Sequence, residues 1–212
     1  MTPILTVIVL VVVTWFAGGM IWNIRKGSAA MRWMQGGLPL LGERTTVRWL
    51  GTSSVELAIQ QAKPPFAQVV LVVFLEPRDV PWLWAIARSR GRRDTLIVRA
   101  RLRQTPEREL EVLDRRSWSG REALRSIRSE GWFELEGAGP GGVSLLVKKR
   151  AGGVAQKDSL LDLARGAGMN VRRLSVGCNE PHLELHVDLP PRSADAAGFF
   201  SALRGIGERA GR

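Results

Sequence analysis

The chain has 212 residues and is 45% hydrophobic and 24% charged, which excludes a disordered tail and leaves room for one sizeable domain or two small ones. Its formal charge of +11 suits anionic partners such as lipid headgroups or nucleic acid. A single cysteine, Cys178, excludes an internal disulfide framework and agrees with a reducing compartment.

The charge is unevenly placed. Residues 1–24 carry no charged side chain, residues 25–103 carry 14 basic and 5 acidic ones, and residues 104–212 carry 17 and 15. The excess therefore sits just behind the apolar N-terminus. Anionic headgroups attract such a segment by roughly 1 kcal/mol per basic residue near the surface.

Pro3 to Trp22 (PILTVIVLVVVTWFAGGMIW) is a run of twenty uncharged, mostly apolar residues. As a helix it is about 30 Å long, the thickness of a bilayer's hydrocarbon core. Thr6 and Thr14 can bond back to the helix backbone, and Trp22 ends the run with a ring suited to the headgroup level. The rival reading is a cleavable signal peptide with Ala17-Gly18-Gly19 as its cleavage site. The absence of a basic side chain ahead of the run weighs against it.

Arg25, Lys26 and Arg32 follow the run, and no acid precedes Glu43. Because Lys and Arg beside a span stay on the cytoplasmic side, this predicts an outside N-terminus and a cytoplasmic remainder in the cell membrane. The expected membrane-interface residues are Trp22, Arg25, Lys26, Arg32 and Trp33. Residues 25–43 are expected to form a juxtamembrane linker lying along the interface, since Met31, Trp33, Met34, Leu38, Leu40 and Leu41 make it apolar.

From residue 44 the pattern is one of strands and short helices. Val47–Gly51 and Val55–Gln60 flank a turn, and Ala67–Glu76 is a near-continuous apolar run typical of a buried strand. Asp79 is the expected cap of a helix over Val80–Arg90, and Ser119 with Glu122 forms a capping box for a helix to about Glu130. Further helices are expected from Asp158 or Ser159 to about Gly166, and over Ala194–Ile206 behind Ser193. Strand pairs fall between them: Thr95–Arg103 with Arg108–Asp114, Phe133–Glu136 with Val143–Lys149, and Val171–Val176 with Leu183–Asp188.

This recurring ββα order predicts an α+β protein: an N-terminal transmembrane helix (residues 1–24), the linker, and two tandem ferredoxin-like (βαββαβ-type) modules with antiparallel sheets over residues 44–137 and 138–212. A single larger sheet built from the same units is the alternative.

The candidate sites are modest. Gly137-Ala138-Gly139-Pro140-Gly141-Gly142 satisfies G-x-G-x-x-G, but a strand pattern follows it where a dinucleotide site needs a helix N-terminus. His182 and His186 lie on one face of the strand HLELHVD, about 13 Å apart and too far for one ion. Cys178 near these histidines is not by itself a nucleophile–base pair. No catalytic residue, cofactor or metal is therefore expected.

The informative cluster is basic. Arg88, Arg90, Arg92 and Arg93 gather after the Val80–Arg90 helix, and Arg99, Arg101 and Arg103 line one face of the next strand. These are the expected anionic-surface residues. Glu109 and Glu111 on a partner strand are the expected competitors for the strand arginines. Trp82 and Ile86 fall outside the apolar stripe of their helix and suit either the bilayer interface or packing between modules. The function expected is that of a membrane-anchored, non-enzymatic interaction or scaffold protein with an unidentified protein partner. A tethered nucleic-acid-binding module is the alternative; against it, the strands lack the stacked aromatics such a module needs.

Overall fold

The structure, a computed structural model, describes residues 3–107, 109–127, 133–139, 143–148 and 153–211, with side chains described outside 126–157. The first element, α1 (Pro3–Gln35), is one unbroken helix of 33 residues, about 50 Å long at 1.5 Å per residue. It is long and apolar enough to cross a membrane, and none of its most apolar 18 residues is buried.

The expected linker is not a linker. Ala, Met, Arg and Gln in the sequence SAAMRWMQ favour helix, and Ala29, Ala30, Trp33 and Met34 form a buried stripe on the last turns of α1. Trp33 is a core residue rather than an interfacial one. Its indole N–H donates to the Ala194 carbonyl at 2.9 Å, and its ring packs on Phe199 and Phe200 with centroids 5.2 and 5.8 Å away. A short 3-10 turn, Leu38–Leu40, then carries Leu38 and Leu41 into the same core.

The elements that follow are β1 (Thr45–Trp49), β2 (Ser54–Ile59), β3 (Phe66–Phe74), α2 (Pro81–Ser89), β4 (Thr95–Leu102), β5 (Glu109–Asp114), α3 (Trp118–Ile127), β6 (Phe133–Gly139), β7 (Val143–Lys148), α4 (Gly153–Gly166), β8 (Val171–Val176), β9 (Leu183–Asp188) and α5 (Ala196–Ala210). Every expected strand and helix is present among the described residues, with Arg108, residues 128–130 and Lys149 of the expected spans lying outside them, but the caps differ. Asp79 does not cap α2, whose N-cap is Val80. At α3 the Ser117 hydroxyl, not the Ser119–Glu122 box, accepts the Gly120 N–H at 2.9 Å. The N-cap of α5 is Asp195.

Two tandem ferredoxin-like modules are not found. The described strands pair antiparallel in one sheet of order β1-β2-β3-β4-β9-β8-β5-β7-β6. The modules required β4 to pair with β5; instead β4 lies between β3 and β9, and β5 between β8 and β7. Burial explains the choice. Leu96, Val98 and Ala100 of β4 stand opposite Val187, Leu185 and Leu183 of β9, and all six are buried in the main core. Local order gave the correct elements, but distant strands with matching inward sets became partners.

The core lies on one face of this sheet. The end of α1, together with α4 and α5, covers it through Leu160, Leu161, Ala164, Phe199, Phe200, Leu203 and Ile206. On the other face α3 lies against β5 and β8, with Ala123 and Leu124 on Leu113. Of the glycine-rich segment, Gly137–Gly139 ends β6, while 140–142 lie outside the described residues.

Candidate membrane-facing surface

Helix α1 joins the domain through polar contacts at the end of its apolar run. Asn23 is fully buried; its Nδ2 donates to the Glu76 carbonyl at 3.1 Å, and its Oδ1 accepts from Arg78 at 3.3 Å. Arg78 grips Asp94 with two bonds of 2.9 and 2.8 Å, and Lys26 reaches the same carboxylate. Burial pushes the Asp94 carboxyl up. The bonds from Arg78, Lys26 and the Glu76 N–H outweigh this and hold it below its ordinary value. The Glu76 carboxylate accepts the Trp84 indole N–H at 2.6 Å and lies 3.3 Å from Arg88.

The contact is close enough to depend on glycine. A Cβ at Gly19 would lie 2.3 Å from the Arg78 carbonyl oxygen, and one at Gly27 would lie 2.7 Å from the Trp49 ring. Trp15, one turn earlier, donates its indole N–H to that same Arg78 carbonyl at 3.0 Å, and its ring centre is 6.4 Å from that of Trp84. The domain therefore touches α1 from Trp15 onward.

Around this junction the domain exposes large apolar side chains. On α2 Trp82 is 61% exposed, with Leu83 and Ile86 also exposed; Val47, Trp49 and Leu50 are exposed on β1 and its turn. Trp82 and Ile86 thus do not fill an intermodule core. The turn bearing Leu50 is tied to the same corner, since Thr52 donates to Asp79 at 3.3 Å. The only charged side chains of α1, Arg25, Lys26 and Arg32, follow within three turns, with Trp22 exposed just above them.

The expected arginine cluster is divided. Arg88 is held by Glu76 and sits over the Trp84 ring, with 5.8 Å from guanidinium carbon to ring centre. Arg93 donates to the carbonyls of Arg88 and Arg92, while Arg92 lies 5.8 Å from the Trp118 ring centre. Among the described residues neither Arg90 nor Arg92 has a carboxylate partner.

The strand arginines do not pair with Glu109 or Glu111, because β4 and β5 are not neighbours. Arg99 lies 3.5 Å from Glu184, Arg101 lies 3.5 Å from Glu180, and Arg103 donates to the carbonyls of Phe66 and Ala62. Glu111 is instead paired with Arg173.

Sequence reasoning missed Asn23, Arg78 and Asp94, and it missed the ion row on the outer face. There Arg173 links Glu111 to Glu184, which also accepts the His186 Nε2–H at 2.6 Å. Burial raises the Glu184 carboxyl, but His186, Arg173 and Arg99 more than offset it and hold it down to about 2. Glu111 goes the other way: burial outweighs Arg173 and keeps its carboxyl above the ordinary value. An asparagine at the end of an apolar run was the one signal available for the junction.

His186 lines a cavity of about 570 Å³ with Trp118, Ser119, Glu122, Ala123, Arg125 and Arg173. His182 is elsewhere engaged, accepting the Leu102 N–H at 3.1 Å, and the Cys178 thiol donates to the Pro106 carbonyl at 3.2 Å. The three residues thus do not converge on one cavity. Among the described residues no group of His, Cys, Asp and Glu is arranged to hold a metal ion. No protein-family model matches the chain, and no curated protein shows significant similarity to it.

Proposed function

We propose that the chain is a single-pass membrane protein whose α+β domain faces the cytoplasm, lies against the inner leaflet and serves as a non-enzymatic interaction or scaffold module. The observation that carries this reading is the depth at which the domain meets α1. Only residues 3–14 stand clear of it, about 18 Å of helix against a hydrocarbon core of about 30 Å. For the whole run to Trp22 to be solvated by lipid, the surface beside Trp15–Trp22 must dip about 12 Å into the leaflet from the level of Trp22. That surface exposes Trp82, Leu83, Ile86, Trp49 and Leu50, the side chains that such a depth favours.

The keyed contacts of Trp15 and Gly19 support a retained anchor over a cleaved signal. Cleavage after Gly19 would discard the Trp15 indole that donates to the Arg78 carbonyl and the Gly19 backbone packed closely against it. Arg25, Lys26 and Arg32 support the cytoplasmic orientation, and Arg90 and Arg92 extend the basic surface beyond α2. Nucleic-acid binding is less well supported, because each of Arg99, Arg101 and Arg103 already has an acidic or carbonyl partner.

The test uses the full-length chain. It is expected to resist carbonate extraction, and its C-terminal domain is expected to be cut by added protease in inside-out but not right-side-out vesicles. Digestion in right-side-out vesicles alone overturns the orientation; release by carbonate overturns the anchor.

A further inference from the structure

A groove of about 580 Å³ runs along α1 beside the Leu189–Arg192 segment, within the range of about 300–1,000 Å³ occupied by ligand sites. Its α1 wall is one helical stripe. Gly18, Ile21 and Trp22 line one end, Arg25 and Lys26 follow, and Arg192 reaches in from the β9–α5 loop. Gly18 and Arg25 are about 10 Å apart along the helix. The groove is therefore apolar where α1 belongs to the membrane-crossing run, cationic at Arg25, Lys26 and Arg192, and apolar again along Ala29, Ala30 and Trp33.

The cations are not equivalent. Lys26 is committed to Asp94. Arg25 and Arg192 are exposed and have no carboxylate partner among the described residues. Two guanidiniums without a carboxylate partner among the described residues, beside an apolar channel, match a phosphate with a hydrocarbon tail, since arginine offers a rigid fork of donors to phosphate oxygens. The polarity also has the correct sense: the apolar end is continuous with the lipid-facing side of α1, so an acyl chain enters without crossing water.

From this geometry we infer a built-in site for one anionic phospholipid of the inner leaflet, its phosphate between Arg25 and Arg192 and an acyl chain along Gly18, Ile21 and Trp22. This rests on the anchored reading above and adds a specific lipid partner to it. The lipid fills the space between α1 and the β9–α5 loop and fastens the sheet to the membrane at a second point.

Native mass spectrometry of the full-length chain, released from nanodiscs of mixed phosphatidylglycerol and phosphatidylcholine, tests it. The wild type is expected to retain one phosphatidylglycerol in preference to phosphatidylcholine. The double variant R25Q/R192Q is expected to lose that preference by about tenfold, as two surface cations near a headgroup allow. Gly18→Leu is the independent probe of the apolar end. A Cβ there meets nothing within 4 Å, so the fold is kept while the channel is filled and lipid retention falls. Equal retention of the two lipids by the wild type, or unchanged retention in both variants, overturns the site. Carbonate extraction of each protein separates the two levels: a chain that is integral but unselective loses only this inference, whereas an extractable chain loses the anchor as well.

Discussion

The two halves of α1 are one helix in two environments. Its first half exposes Ile4, Ile8, Leu10 and Val11, while its second half buries Asn23, Ala29, Ala30, Trp33 and Met34. Charge already separates them, since only the inner half carries Arg25, Lys26 and Arg32, although both contain large apolar side chains. The pattern also differs: the outer half is apolar on every side, and the inner half has one stripe with Arg25, Ser28 and Arg32 turned away. The lesson is that an apolar segment next to a span can be a core element rather than an interfacial one.

This contrast breaks first at Met34. Truncation to Ala in the fully packed half is expected to cost about 2–5 kcal/mol by removing buried volume, read from denaturant unfolding of the detergent-solubilised chain. Asp94→Ala follows, at about 3 kcal/mol, because it removes the carboxylate shared by Arg78 and Lys26 and leaves Arg78 only Glu76, 3.3 Å away; a cost near zero would mean that the junction is not what fixes α1 to the domain.

Acid sharpens the picture on the other face of the sheet. Glu184 has its carboxyl lowered in the fold, so its stabilisation is complete above about pH 4.3 and is lost as pH falls through the folded value, an effect on the order of 3 kcal/mol. Asp94 acts in the same direction, and Glu111, whose carboxyl is raised, acts in the opposite one. Glu184→Gln is expected to flatten the acid limb of stability against pH between about 4 and 2; an unaltered limb would assign acid unfolding to other carboxylates. The smallest effect is at Leu10→Ala in the outer half, within about 0.5 kcal/mol for unfolding of the domain. A large loss there would mean that the outer half packs on protein.

The strands were legible because their alternation is local. Leu183, Leu185 and Val187 point to one face whatever strand lies alongside. Their partners were not legible: β4 meets β9 across more than eighty residues of chain, and chain order favoured the nearby β5. The same gap hid the site. Arg99 was readable as a charged outward residue, but its carboxylate, Glu184, belongs to that distant strand. Trp82 and Ile86 were legible as residues that do not fit a single buried stripe, and the structure leaves both exposed. Trp33 was misplaced because an indole near a span suits headgroups and cores equally, and only Phe199 and Phe200, far along the chain, decide between them.

The absence of any break between the outer and inner halves of α1 has a mechanical consequence. On the anchored reading proposed above, with no hinge between bilayer and sheet, the domain would not swivel on a tether; it would be presented at one height and one compass bearing. On that reading a twist or a vertical shift of the helix within the lipid would pass directly to α5 and the strands beneath it, and a protein docked on the far side would sense it through a stiff rod.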